Sequence, residues 1–559
     1  MKTGHFLRAF LIGALLSTQA LAQPNTNTTG GTGTVNSGSQ WQLGEYLAAG
    51  TAISGITVPS CPDAGGNHLN FNNTTGAVSC GTTSSGGAGS ITVGSSAITG
   101  GSAGQVLYDN SGVAGEYTMQ QAINAITNQT NYYARNYGLK CDGATAQVTT
   151  TAGNATLSSS HTFTAADVGK MISIPYAAVE SGATITGTLN ATTTITGLPT
   201  TSFYYVGQPI TGSGIPASTT VTSVLSTSSV QISNAATTSG SSALTFGWYL
   251  NTTIASVSGG AATLTTAPGI SITNAVATFG TGDGAAMNTL LTTMATNTGG
   301  GKIILPTGIC VIDQSVTWKT NSSIVGDGSG KSILKWISTS NMTAPMLGYT
   351  TNATPISDVY VGFLEADMSA GTLGSSFNVA AKGVGIVAVV RGWVDHVYCH
   401  ESPATCLAFD FGAPVVMTNN FIYRPGRMAT GYGGGAGIGN GTNDTSASGL
   451  DSQNVLIGNT VIDPTNFGIF TEVQVSGSFA TINNIIANNA VYQTLSVGNN
   501  QATTSGGIGM TGEVAGVVSG NAVYCASTSG NYDGIAINGG TTSHQNAAQL
   551  AITGNTTNG

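Results

Sequence analysis

Charge is what this sequence has least of: 13 Lys and Arg and 22 Asp and Glu are spread over 559 residues, 6% in all. No basic cluster occurs anywhere, and phosphate binding needs concentrated positive charge, so nucleic acid is excluded as a partner. Long apolar runs are also missing. After the first 22 residues no stretch reaches the roughly 18 uninterrupted apolar residues of a spanning helix, so no membrane span is expected. What fills the chain is Gly, 80 of them, with Thr, Ser, Ala and Asn. That composition suits neither a helical bundle nor a charged disordered tail.

The chain starts "MKTGHFLRAFLIGALLSTQALAQ", with Lys2 and Arg8 before a short apolar run and Ala20-Leu21-Ala22 at its end. This pattern predicts a secretory signal over 1–22, cleaved near Ala22, and a secreted, extracellular mature protein. Loss of Lys2 and Arg8 takes the formal charge from −9 to −11. Seven cysteines then meet an oxidising compartment, and the odd count leaves at least one unpaired. Proximity suggests Cys61 with Cys80 and Cys399 with Cys406; buried thiols are the alternative.

Residues 23–45 are Gly/Ser/Thr/Asn-rich without apolar period and read as a flexible leader. Residues 46–125 hold short β-like runs broken by glycine. Among them, "SITVGSSAITGGSAGQVLYDNSGVAGEYT" resembles N-terminal stretches of phage tail-fibre and bacterial surface proteins. Residues 148–278 alternate Val, Ile and Thr with small residues between Gly and Pro, which predicts a β-rich insertion, either spacer or accessory binding module.

A repeat sets the fold expected for 282–559. "VLIGNTVID", "IIANNAVYQ", "VVSGNAVYC" and "LAITGNTTN" carry Asn459, Asn489, Asn521 and Asn555, spaced by 30, 32 and 34 residues. "VMTNNFIYR" puts Asn420 in the same place, and "GWVDHVYCH" offers His396. Apolar residues lie three before each Asn (Met417, Leu456, Ile486, Val518, Ile552) and two after most (Ile422, Val461, Val491, Val523). A period in this range signals stacked units. An inward residue, a turn at Asn and another inward residue suit a parallel coil, with asparagines about 4.8 Å apart on successive turns.

"YYARNYGLKCDGATAQ", 132–147, resembles the lead-in of the pectate-lyase-like superfamily, where a strand runs to a Gly-Asp-Gly turn and then a helix. Here the helix follows only Gly282-Asp283-Gly284, with Met287, Leu290, Leu291 and Met294 at helical spacing. Then "GGGKIILPTGICVID" and "IVGDGSGKSIL" are similar to that family's first coils. The resemblance covers about half the chain. It implies an all-β, right-handed parallel β-helix of pectin-lyase-like type, with an N-terminal capping helix. By analogy with β-helical spikes, a homotrimer would cover the far end.

Candidate chemistry is sparse. "VGDGSGKS" lacks the first glycine of a phosphate loop, since Val325 stands there, and reads as a turn. "GYGGGAGIGNGTNDTSASG", 431–449, is either a substrate-facing lip or a flexible insert. Four positions after the repeat Asn lie His400, Arg424, Asp463, Gln493 and Cys525; Pro425 and Pro464 place the column where strand becomes turn. That register sets Arg424 between His400 and Asp463, with Glu401 and Arg427 nearby and Glu365 and Asp367 about one coil earlier. An inter-coil ion-pair ladder is one reading. A groove for a polysaccharide or cell-surface glycan is the other.

Family members cleave acidic sugars by β-elimination, with Arg or Lys as base and Ca²⁺ held by carboxylates, or by hydrolysis with paired carboxylates. On that resemblance Arg424, Asp367 and Asp463 would serve elimination, and calcium would be a cofactor only in a lyase. Glu365 and Asp367, roughly 6 to 7 Å apart, would suit inverting hydrolysis. The Asn-Thr-Asp, Asp-Asp, Gly-His-Gly and Arg-Ile-Lys signatures of the polygalacturonase branch are absent, so no catalytic residue carries over. A non-catalytic, spike-like adhesin that binds glycans remains the alternative function.

Overall fold

The structure is a computed structural model that describes six short strands between residues 44 and 118 and most of 130–559, apart from stretches such as 180–184, 429–433, 443–452, 474–480, 494–504 and 526–549 in part. The chain divides into two units, Met1–Ala103 and Gly104–Gly559. The expected signal, Cys61 and the tip of the glycine-rich segment, 443–449, lie outside the described residues.

The fold is all-β, with many parallel strands. From Gly301 onward the strands stack into three parallel faces, a parallel β-helix. One face climbs from Asn131–Tyr133 and Gly301–Ile304 to Ala551–Thr553. A second climbs from Gly308–Ile312 to Thr556–Asn558. The third is an eight-stranded sheet from Val316–Thr317 to Tyr532–Asn538. Alternation sends Leu334, Ala366, Cys399, Ile422, Val461, Val491 and Val523 inward, where they join one continuous core.

The corner between the first two faces explains the asparagine repeat. Phe363, His396, Asn419, Gly458, Asn488, Gly520 and Gly554 all turn there with positive φ. The next residue is the ladder position: Asn420, Asn459, Asn489, Asn521 and Asn555. The amide nitrogens of the first four donate to the following coil's asparagine side-chain oxygen, at 2.9 to 3.0 Å, and those of all five donate to a backbone carbonyl of the preceding coil. Every buried side-chain donor is thereby used, which is what makes a buried polar column tolerable. A second, shorter ladder went unforeseen: Asn454 accepts from Val415 N–H at 2.8 Å and Asn484 from Asn454 N–H at 3.0 Å.

The lead-in segment meets the helix through Asp283. Its buried carboxylate accepts from Lys140 N–H at 2.6 Å and Cys141 N–H at 2.9 Å, and Cys141 is disulfide-bonded to Cys310. Burial pushes the Asp283 carboxyl up against those two bonds. The flanking glycines are required by crowding: a Cβ at Gly282 would lie 2.4 Å from Asp313, and one at Gly284 2.8 Å from Gln314. The helix Gly284–Asn297 buries Met287, Leu290, Leu291 and Met294 in the core of the coil.

Between Asp142 and Gly282 the chain builds an antiparallel sheet of its own. The strand Ser239–Ser258 runs through it, pairing Ile185–Asn190 at one end and Met171–Val179 at the other. It joins two separate cores, one around Phe163, Ile172 and Phe279 and one around Ile195, Tyr204 and Phe246. Part of the glycine-rich segment is not a loop at all. Ile438–Thr442 is a ladder strand between Leu407–Asp410 and Ile469–Val473.

Candidate functional site

On the second face, residues flanking the inward row point outward. One register column reads Lys335, Asp367, His400, Tyr423, Ile462, Tyr492 and Tyr524. The column beside it carries Glu365, Tyr398 and Phe421. The charges gather at one end and exposed aromatic rings at the other: Phe421, Tyr492 and Tyr524 are 42%, 38% and 42% exposed.

Each charge is answered from a neighbouring coil. Lys335 Nζ donates to Asp367 and, at 3.1 Å, to Ser369 Oγ. His400 Nε2 lies 3.2 Å from Glu365 Oε1 and 3.9 Å from Asp367 Oδ1. Glu365 also accepts from Gly330 N–H at 2.9 Å, so the glycine turn that mimics a phosphate loop instead anchors a carboxylate. Arg424 Nη1 lies 3.2 Å from Glu401 Oε1. Burial pulls the His400 imidazole down, but the Glu365 hydrogen bond and the charges of Asp367, Glu365 and Glu401 outweigh it and raise its pKa. Burial pushes Asp367 up, and the Lys335 and His400 charges, with bonds from Lys335 and Ser369, overturn this and hold the carboxyl well below its ordinary range. Around neutral pH the cluster is an alternating chain of acceptors and donors.

The inserted sheet stands against this end. Tyr249 bonds Ser369 and faces Asp367, and burial pushes its phenol up to about 12. Tyr176, also pushed up to about 12 by burial, stacks obliquely 5.9 Å from Tyr249. Asn251 Nδ2 donates to Ala370 O at 2.7 Å. Arg427, buried, donates to Glu401 O at 2.7 Å and to Gly371 O, and its guanidinium lies 5.2 Å from the Trp248 ring.

Of the six residues singled out in the sequence, the structure brings Glu365, Asp367 and His400 together and pairs Glu401 with Arg424. Asp463 lies on the next coil, buried, in register with Arg424. The expected column needs a one-residue correction. Val397, not His396, aligns with Asn420, because Val397 N–H donates to Asn420 Oδ1 at 2.9 Å. Arg424 therefore follows Glu401, and His400 follows Asp367. Glu401, Arg424 and Asp463 all turn with φ near +50°, at 57°, 49° and 52°, which takes them out of the strand. The carboxyls of Glu365 and Asp367 approach within 4.8 Å, closer than the about 6.5–9.5 Å that admits an inverting water. Cys399 pairs with Cys406 as expected, and among the described residues Cys525 is a free, buried thiol.

Lys335, Tyr176 and Tyr249 were missed, whereas Arg427, noted in the sequence beside Glu401, is buried against Glu401 O. Lys335 was legible, since alternation in "SILKW" points it away from the core; the two tyrosines arrive from more than 100 residues away. Calcium does not fit the Glu365–Asp367–His400 trio. Its ligands are oxygens, whereas here one donor is an imidazole nitrogen and Asp367 is already paired with Lys335.

No family model and no curated protein matches the chain. Among solved structures it is similar to ORF18 of Geobacillus virus E2, at 11% identity and TM-score 0.35, covering 50% of this chain and 57% of that one. It is similar to an alginate lyase from Paenibacillus sp. str. FPU-7, at 14% identity and TM-score 0.31, covering 49% of this chain and 96% of that one. It is also similar to PfbA, a surface adhesin of Streptococcus pneumoniae, at 11% identity and TM-score 0.28, covering 50% and 88%. The chain spans little more than half the length of the viral protein, and likeness at this level carries no statement about activity.

Proposed function

We propose that the protein is secreted and binds an extracellular polysaccharide laid along the coil axis on the column from Lys335 to Tyr524. The observation that carries this is the column itself. It offers one side chain per coil, about 4.8 Å apart, close to the length of one sugar ring. Exposed tyrosine rings supply flat apolar faces for sugar C–H groups, and their hydroxyls remain free to meet water or sugar. At the other end, donors on His400, Lys335 and Arg424 meet hydroxyls or carboxylates of an acidic glycan. In this reading the coil is pectate-lyase-like and right-handed, with the helix at Gly284–Asn297 as its cap.

Binding is favoured over catalysis because the charges are mutually paired and Asp367 is too acidic to serve as a base. The second reading, a lyase or hydrolase, rests on His400 beside Glu365, whose raised pKa favours the form that can donate to a leaving oxygen. Incubation with a panel of acidic polysaccharides separates the two. Retention on immobilised glycan, lowered in the Tyr492→Ala, Tyr524→Ala pair, with no unsaturated products and no new reducing ends, is expected. Products that vanish in His400→Ala would establish the enzyme instead, and neither retention nor products would sink both.

A further inference from the structure

The inserted sheet and the β-helix enclose two clefts of about 190 and 280 Å³. Both are lined by Ser338, Thr339 and Asn341, so they adjoin along that loop and are taken together as one trough. Together they fall within the about 300–1,000 Å³ of small-molecule sites. One wall carries Trp248 and Tyr249, and the far end carries Trp336.

The lining differs in kind from the column. Its single charged residue is Asp313, whose Oδ1 already accepts from Gly284 N–H at 3.1 Å. The rest of its polar groups are hydroxyls and amides. With no Lys or Arg to neutralise it, a carboxylate or sulfate would enter at a desolvation cost. A ligand rich in hydroxyls would not, and aromatic walls would pack against its ring faces. Asn251 Oδ1 and Trp336 Nε1 are buried without a hydrogen-bond partner in residues that line the trough. Buried polar atoms of this kind are rare unless something else satisfies them. Trp248 is held against movement by Arg427, whose three donations are to backbone carbonyls of the coil.

We propose that this trough is a second binding site, for an uncharged, hydroxyl-rich glycan segment, and that the inserted sheet exists in part to form its wall. The site does not depend on the charged column, although Tyr249 links the two through Ser369 and brings the trough's end beside Asp367.

Calorimetric titration of the full chain tests this with cellohexaose, laminarihexaose and maltohexaose as neutral probes and trigalacturonate as the acidic one. At least one neutral hexasaccharide is expected to bind. Trp248→Ala and Asn341→Ala should each weaken it about tenfold or more, with Trp248→Phe recovering part of the loss. Asn341 is exposed, so its variant reports on the site even where Trp248→Ala fails to fold. Failure of every neutral probe, or an affinity within about twofold of wild type in a Thr339→Ala, Asn341→Ala double variant, overturns the proposal. Trigalacturonate binding without neutral binding overturns the trough and spares the column; the converse overturns the column and spares the trough.

Discussion

His400 Nε2 lies 3.2 Å from Glu365 Oε1, between coils, and this contact with its acidic surroundings outweighs burial and raises the imidazole's pKa. In the unfolded chain the imidazole titrates near its ordinary value of about 6.5. The folded pKa is the higher, so the stabilisation is fully present below about pH 6.5 and is lost as pH rises through the folded value. Thermal unfolding between pH 5.5 and 9 should therefore show a melting temperature that falls on the alkaline side. A His400→Gln variant should flatten that slope, and an unchanged slope would remove His400 as its source.

Lys335 and Asp367 form the most buried ion pair of the cluster, each side chain 12% exposed. Breaking one side strands the other. Lys335→Met alone should cost about 3–5 kcal/mol, whereas the Lys335→Met, Asp367→Leu double variant should recover most of it, because removing both charges also removes the desolvation penalty. Chemical denaturation of the three proteins gives the coupling directly.

The asparagine ladder makes a positional prediction. Asn489 accepts from Asn459 N–H and Nδ2 and donates to Leu456 O and Asn521 Oδ1, all within 2.8 to 3.0 Å. Asn489→Ala strands several buried groups and should destabilise by about 3 kcal/mol. Asn555 serves only one neighbouring coil's ladder amide and is partly exposed, so Asn555→Ala should cost markedly less. Equal losses at both sites would contradict a ladder whose value depends on burial.

The two disulfides should contribute unequally. Cys141–Cys310 ties residues 169 apart, while Cys399–Cys406 closes a separation of 7. Loop-closure entropy favours the longer tie, so Cys141→Ser with Cys310→Ser should lower stability by about 4–5 kcal/mol and the short pair by less. Unfolding midpoints in denaturant rank them.

The coil's upper half was legible because each turn repeats one chemical solution: an asparagine at the corner, a valine, leucine or isoleucine on either side. Below Asn420 the signal fails for a physical reason. The strands Ile356–Asp367 and Val389–His400 run through the corner with Phe363 and His396 as the turning residues and no asparagine behind them, so pattern matching slipped by one residue. The slip moved His400 out of its true column and set it beside Arg424 instead of Asp367. Asn454 and Asn484 escaped notice because two copies do not make a period.

What the sequence by itself determined is the stacking. Alternation, the recurring Asn and the scarcity of charge leave few arrangements other than a parallel coil with an uncharged core, because each coil can bury its apolar face only against the next. What only the tertiary structure decided is the setting of the charges. Lys335, Glu365, Asp367 and His400 meet because successive coils bring positions 32 to 35 residues apart into contact at one end of a face. The trough beside them exists because a sheet inserted far upstream folds back on that same end. Contacts across separations of this kind follow from chain geometry, and no local pattern of residues encodes them.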